Sequence, residues 1–371
     1  MRNFLILISV LFFIIFTSCT ENNNKSFSIS GKVSNLKENY VVLSLIDDFQ
    51  NNTSTIIDTL EINKKGEFNS VYFLEPAIYS LNFDNEKTIL LAIDKGQHLK
   101  IQGSTIENIL VKGSVDTDLL NAYEDFRVES LNRLVKSVRN KITASQNTAS
   151  EQTIAELREL EVENYKKHIS ELTTFIKEKM GTSIAIYPTS IRWNGEENLP
   201  FYKELTNAFE EKHPTIEITK KIKERLQLLE KTSVGSVVSN IKMTDSSGEI
   251  IELDSIRKKY TLIDFWASWC PPCRTESSLL NELYANYNSK GFEIYGISLD
   301  SKAESWTNAL EKDQRIWPNV STVEGFKTPV SIAYGITALP TNFLIDETGK
   351  IIATNVHGKL LKAKIDALFT E

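Results

Sequence analysis

The stretch that most restricts what this chain can fold into runs from 261 to 276 and reads TLIDFWASWCPPCRTE. Residues 261–266 form an apolar, strand-favouring run interrupted by a single carboxylate, Asp264. Trp269, Cys270, Pro271, Pro272 and Cys273 follow, and then Leu279, Leu280, Leu283, Tyr284 and Tyr287 recur on one face of a helix. The order strand, turn, two thiols, helix puts both sulfurs at a helix N-terminus. Unpaired backbone N–H groups and the positive end of the macrodipole favour an anion there, whereas a free cysteine with pKa of about 8.5 is mostly protonated at neutral pH. Cys270, ahead of the helix, is therefore the expected nucleophile. Cys273, one turn in, is expected to be more buried, less ionised and to act as the resolving thiol. Pro271 and Pro272 suit a first helical turn, where a missing donor costs little. Asp264 sits mid-strand, where a charge is costly to bury. Burial there raises a carboxyl pKa, which makes Asp264 the candidate acceptor for the proton of Cys273. A purely structural disulfide is disfavoured, because so short a loop removes little entropy from the unfolded chain. A zinc or copper site is also disfavoured, because His357 alone does not complete a ligand set. No metal or cofactor is expected beyond the cysteine pair.

Cysteine usage sharpens the picture. Of 371 residues only three are Cys, and Cys19 stands apart from the pair, so a disulfide-rich secreted scaffold is excluded. Arg2 supplies a positive start, and residues 4–16 are apolar apart from Ser9. That run is shorter than the roughly 20 residues a transmembrane helix needs and fits the apolar core of a signal peptide. Residues 16–19, FTSC, resemble a bacterial lipobox, which would make Cys19 the lipidated first residue of the mature chain. A plain signal peptide cut nearby and an uncleaved anchor are the alternatives. All three place the bulk of the protein outside the cytoplasmic membrane. Residues 20–26 are polar and aperiodic and read as a tether.

The rest divides by hydrophobic period. The length is generous for one domain; 41% apolar and 25% charged residues are ordinary for globular chains. A net charge of −7 argues against a nucleic-acid surface. From 27 to about 114 the period is two, with turn signals at Asn51-Asn52, Lys65-Gly66, 94–96 and Gly103-Ser104, which predicts an antiparallel sandwich or barrel-like domain. His98 reads as a surface strand residue. Near Asp116 the period lengthens. Amphipathic helices are expected from Leu119 to Ile142 and from Ile154 to Met180, with Gly181 as a stop. Shorter helices follow at 200–212 and 215–231, with His213-Pro214 between them. Their Glu and Lys residues are expected to be solvated faces; His168 and His213 lack a metal-type neighbourhood. From Val234 strands and helices alternate, as a mixed sheet with helices on both faces requires. The expected division is a signal peptide at 1–18, lipidated Cys19 and tether at 19–26, an antiparallel β domain at 27–115, a helical region at 116–232 and a redox domain at 233–371.

The run from Asp264 to Arg274 resembles the thioredoxin superfamily, and specifically its TlpA/ResA branch of envelope thiol-disulfide oxidoreductases. Residues 291–294 (GFEI), 298–300 (SLD), Trp306, 339–341 (LPT), 343–346 (FLID) and Gly349-Lys350 extend the resemblance over 234–368. It implies an α/β thioredoxin-like fold and a redox-active Cys270–Cys273 disulfide. It also implies that Pro340 is a cis-proline abutting that disulfide and holding substrate main chain. Trp269, Pro271, Pro272 and Leu339 complete the implied client-contact surface, and Glu276 fits the branch's C-R-x-E pattern as a second-tier residue. Asp264 stands where many members of the branch carry Asn. The implied activity is reduction of disulfides in envelope proteins, apocytochrome c among them, with a membrane-embedded thiol reductant as donor. Two alternatives compete. One is a peroxiredoxin-like thiol peroxidase, although that pattern wants Thr or Ser where this chain has Ala267. The other is a non-enzymatic envelope binding or scaffold lipoprotein.

Overall fold

A computed structural model describes residues 26–370 except 50, 147 and 196. The leader run, Cys19 and nearly all of the tether lie outside the described residues.

The period-two segment forms eight strands: β1 (Phe27–Val33), β2 (Tyr40–Asp48), β3 (Thr53–Glu61), β4 (Glu67–Tyr72), β5 (Ala77–Phe83), β6 (Lys87–Ile93), β7 (His98–Gly103) and β8 (Leu110–Lys112). They make two four-stranded sheets, ordered β4-β1-β7-β8 and β3-β2-β5-β6. Pairing is antiparallel with one exception: β1 and β7 run parallel. Ile29, Val41, Leu43, Leu81, Phe83, Leu91, Leu99 and Ile101 fill the space between the sheets. Gly31 faces Phe68 across the β1–β4 ladder, and a Cβ at Gly31 would lie 2.2 Å from the Phe68 ring. The ring covers the glycine, so only hydrogen fits there. His98 is exposed, as expected, with Nδ1 2.9 Å from Ser28 Oγ.

The second sheet is covered on its outer face too. Ile78 and Ala92, on β5 and β6, belong to the core of the helical region, which explains why β6 reads as a continuous apolar run over 89–93 instead of an alternating one. The helices are α1 (Val115–Leu131), α2 (Ser137–Ser145), α3 (Glu151–Phe175), α4 (Ile186–Ser190), α5 (Leu199–Lys212) and α6 (Glu217–Lys231). A π-helical turn at Asn132–Lys136 joins α1 to α2. Ser114 caps α1: its Oγ accepts the Thr117 N–H at 2.9 Å and donates to the Ala92 carbonyl at 2.7 Å, stitching helix to sheet.

The remaining chain contains β9 (Lys242–Thr244), β10 (Ile250–Glu252), α7 (Leu253–Ile256), β11 (Tyr260–Trp266), α8 (Pro271–Tyr287), β12 (Phe292–Ser298), α9 (Ala303–Lys312), β13 (Asn319–Val320), α10 (Pro329–Ala333), β14 (Thr341–Asp346), β15 (Ile351–Thr354) and α11 (Gly358–Thr370). Its central sheet is ordered β13-β12-β11-β14-β15. β11, β12 and β13 are parallel, while β14 and β15 are antiparallel. This is the mixed thioredoxin-like sheet. Helices α8 and α11 bury Leu280, Leu283, Leu361 and Ile365 against one face. The other face is covered by the β9–β10 hairpin, α7 and residues around the short α10, a segment the sequence pattern did not reveal as helical. Among the described residues, no helix is long and apolar enough to cross a membrane.

Candidate active site

Strand parity places Asp264. Side chains alternate along β11: Ile263 and Phe265 join one core, whereas Leu262 and Trp266 point to the side that carries α8. Asp264 shares that side, in register with Gly296 on β12 and Asn342 on β14.

The turn after Trp266 is tied down by polar contacts. Ser268 donates from its N–H and Oγ to Asp300, at 2.9 and 2.5 Å, and Ser298 Oγ donates to the same carboxylate at 2.8 Å. The Cys270 N–H donates to the Ala267 carbonyl at 3.1 Å. Cys270 is the N-cap residue of α8, with extended φ −98° and ψ 99°, and its sulfur accepts the Cys273 N–H at 3.3 Å. Both Pro271 and Pro272 lie in the first turn. The two cysteines are joined, with Cα atoms 5.4 Å apart. Arg274 braces the rim: it pairs with Asp313 and donates to the Ser268 carbonyl at 3.2 Å. The hydrogen bond to Asp313 is the main reason its pKa rises.

One expectation fails. Cys270 and Cys273 are equally buried, each 3% exposed, because the bond between them pulls both sulfurs into the cluster of Trp266, Trp306 and Ala309. Asymmetry resides instead in Trp269, 54% exposed, whose ring lies 6.0 Å from that of Phe326. The Leu339–Pro340 bond is cis, and Leu339 packs against the cluster containing both cysteines. The chain thus brings Leu339 to the cysteine pair from the far side of the domain's sequence.

Beneath the pair lies a buried charge network. Arg315, fully buried, forms an ion pair with Asp264 and donates to Ser277 Oγ at 3.0 Å; Ser277 in turn donates to the Cys273 carbonyl at 3.3 Å. The guanidinium also lies 3.8 Å from the centre of the Trp266 ring and 5.0 Å from that of Trp317. Burial pushes the Asp264 carboxyl up, against the pull of Arg315. On the next face of α8, Glu276 Oε2 lies 2.8 Å from His357 Nδ1, and Oε1 accepts the Gly358 N–H at 3.0 Å. Burial opposes ionisation of Glu276, but His357, Gly358 and Arg315 outweigh it and hold the carboxyl below its ordinary value. Asn342 completes the floor, donating to the Val356 carbonyl at 2.7 Å.

Asp264, Cys270, Cys273, Glu276, Leu339 and Pro340 therefore converge. Sequence reasoning missed Arg315, Asp300 and the bracing Arg274–Asp313 pair, and weighed His357 only as a metal ligand. A lone cation just ahead of the apolar residues 316–317 was the one local signal for Arg315. Among the described residues, no group of three His, Cys, Asp or Glu could hold a metal ion.

The redox domain has relatives among known proteins. Residues 234–354 match the AhpC/TSA family. A thiol-disulfide oxidoreductase ResA from Bacillus thuringiensis (strain Al Hakam) is 36% identical over 145 residues, covering 37% of this chain and 77% of the relative. A ResA from Bacillus subtilis (strain 168) is 30% identical over 136 residues, covering 37% and 74%. Among solved structures, a thiol-disulfide oxidoreductase from Bacteroides fragilis is 34% identical over 36% of this chain and 99% of that one, at a TM-score of 0.34. With a disulfide-bearing helix N-terminus on a thioredoxin-like sheet, and this identity over more than two thirds of the ResA proteins it matches, the chain belongs to the TlpA/ResA-like thiol-disulfide oxidoreductases of the thioredoxin superfamily.

Proposed function

We propose that this protein is an envelope-facing reductase of protein disulfides. The observation that carries the reading is the placement of Cys270: its sulfur caps α8 and accepts the Cys273 N–H, which stabilises a thiolate at that sulfur. In the reduced state the Cys270 thiolate attacks a client disulfide. A mixed disulfide forms and the first client sulfur leaves as a thiolate. Cys273 then loses its proton and attacks the Cys270 sulfur, releasing the second client thiol. Two electrons pass to the client, and Cys270–Cys273 is left oxidised. Asp264 is the proton acceptor for Cys273; burial raises its carboxyl toward the range where a thiol proton can be taken, and Arg315 holds its orientation. Trp269, Pro271, Pro272, Leu339 and Pro340 contact the client main chain. A membrane thiol donor returns the pair to its reduced state, and no further cofactor takes part. Disulfides of envelope proteins, including apocytochrome c, are the client class, consistent with a lipid anchor at Cys19.

Trapping tests the cycle. Cys273→Ser should accumulate mixed disulfides through Cys270, visible as adducts that dithiothreitol releases. Exchange activity persisting with no trapped species would sink the assignment. Direction is tested by equilibrating the pair against glutathione: a reductase should lie near the reducing end of this fold's range, about −270 mV, and a value near −120 mV would make it an oxidant. The peroxidase alternative lacks a hydroxyl at position 267, and the nearby Arg274 is engaged by Asp313; little peroxide should be consumed. Full complementation of a deletion strain by a Cys270→Ser, Cys273→Ser variant would favour a scaffold instead.

A further inference from the structure

The helical region reaches the redox domain at both walls of the disulfide. From α3, Arg158 Nη1 donates to Thr275 Oγ1, and that hydroxyl donates to the Pro271 carbonyl at 3.1 Å, inside the first turn of α8. From α6, Arg225 spreads its guanidinium over three main-chain carbonyls. Nε donates to Ser190 at 3.1 Å, Nη2 to Trp193 at 3.0 Å, and Nη1 to Gly335 at 3.1 Å.

No carboxylate is among those partners. Burial lowers the Arg225 pKa to about 10. A cation largely withdrawn from water is tolerated only where its donors are met. The side chain therefore fixes its third partner, Gly335, relative to the helices. Gly335 has φ +62°, and a Cβ on it would lie 2.6 Å from Arg225 Nη1. From this glycine the chain runs directly to Leu339, which packs on the cysteine cluster, and to the cis bond at Pro340. Thr337 adds a weaker tie, donating to the Ile191 carbonyl at 3.4 Å.

We infer that Arg225, seconded by Arg158, makes the helical region a clamp that positions the loop leading to Pro340 and the turn carrying Cys270 for an extended polypeptide client. Arg225 is a positioning residue for recognition of client main chain. The inference rests on the reading of the pair as a disulfide exchanger. Its signature is discrimination by client size. A protein disulfide must lay its backbone along the Leu339–Pro340 loop, whereas a small disulfide needs only to reach the Cys270 sulfur without contacting that loop.

The experiment uses the full chain with dithiothreitol as reductant, insulin as the protein disulfide and cystamine as the small one. Arg225→Met should raise KM for insulin about tenfold, with a smaller change in kcat, while kcat/KM for cystamine falls by less than about twofold. Arg225→Lys, which keeps the charge but not the fork, should recover part of the insulin affinity. Gly335→Ala, which presses on the same contact from the loop side, should reproduce the split. If Arg225→Met does not fold, by circular dichroism, the lysine and alanine variants decide the matter. Equal losses on both disulfides, or no loss on insulin, would overturn the clamp. A wild-type chain that reduced neither disulfide would overturn the underlying reading, and the clamp with it.

Discussion

The two sheet systems of this protein bury very different things. Among the described residues 26–114, the buried side chains classed as polar are the serines Ser26, Ser44, Ser80 and Ser114, with no charged group among them. The thioredoxin-like sheet and its helices bury Asp264, Glu293, Asp300 and Arg315, with the Glu276 and His357 side chains 8% and 9% exposed. Both systems are well-packed sheets, so the difference is not one of foldability. Buried ions cost several kcal/mol each to desolvate and persist where something other than packing retains them. Apart from Glu293, which pairs with Lys258 at the opposite end of β12, they gather around the cysteine pair, as expected of a site that must move protons in a partly apolar setting. The sandwich is a scaffold with an ordinary core; the redox domain accepts a less favourable interior in exchange for chemistry.

Removing one ion should break that contrast most sharply. Arg315→Met leaves Asp264 buried without its cation, and losing one partner of a buried pair costs about 3–5 kcal/mol. Of the five tryptophans, Trp266, Trp269, Trp306 and Trp317 lie in the redox domain and Trp193 in the helical region, so tryptophan emission during urea denaturation reports mainly the unfolding of the redox domain. The sign of the pH dependence follows from Asp264. Its folded pKa is raised above the unfolded value, and further so without Arg315. The penalty is therefore fully present above that folded pKa and shrinks as pH falls through it. A penalty that stayed constant as pH falls all the way to the ordinary carboxylate range would mean that Asp264 is not the group left unpaired.

A core truncation in the sandwich should give a loss of another kind. Leu81, fully buried between the sheets, should cost about 2–5 kcal/mol when changed to Ala. That loss should be insensitive to pH over the same range. Reduction of cystamine, measured where the variant remains folded, should keep its rate. A fall in that rate would show that the sandwich feeds directly into the chemistry.

The same contrast governs what could be read from the sequence. The sandwich was legible as a period, because each strand with one wet face alternates. The 89–93 run of β6 escaped that rule, since helices cover its outer face. In the redox domain the local segment was legible: strand, Cys270, Cys273 and α8 are contiguous, and the fold joins Leu339–Pro340 to them through the resemblance. Asp264 was legible as a carboxylate in an apolar strand. Its partner was not, because Arg315 is 51 residues away and a lone arginine in a loop carries no period. Arg225 carries no signal of its own on a helix whose Glu and Lys read as solvated faces; only the approach of α6 to the loop at Gly335 shows its guanidinium to be engaged. Contacts made by tertiary approach of unpatterned residues leave no mark on a single sequence.

The smallest expected effect concerns the order in which the regions loosen in acid. His168 and His213 belong to the helical region. Burial lowers the pKa of His168, helped by Arg127, Arg192 and Arg133 and opposed by Glu171; Ser130 Oγ lies 2.9 Å from its Nδ1. Burial likewise lowers that of His213, against Asp94 and with Lys212 and Lys95. An unfolded chain binds these protons first, so stability declines as pH falls below the unfolded value of about 6.5 and keeps declining to the folded one. Asp264 acts oppositely, since its raised folded pKa makes acid favour the folded redox domain. Glu276, held low, gives up its contribution only at pH below the ordinary carboxylate value. Between about pH 7 and about pH 5, amide protection, corrected for the intrinsic exchange rate, should therefore fall in α3 and α5 before it does in β11 and β12. His168→Gln should flatten the response of α3. Earlier loss of protection in β11 would show that the buried charges of the redox domain, and not the histidines, set the acid limit of the molecule.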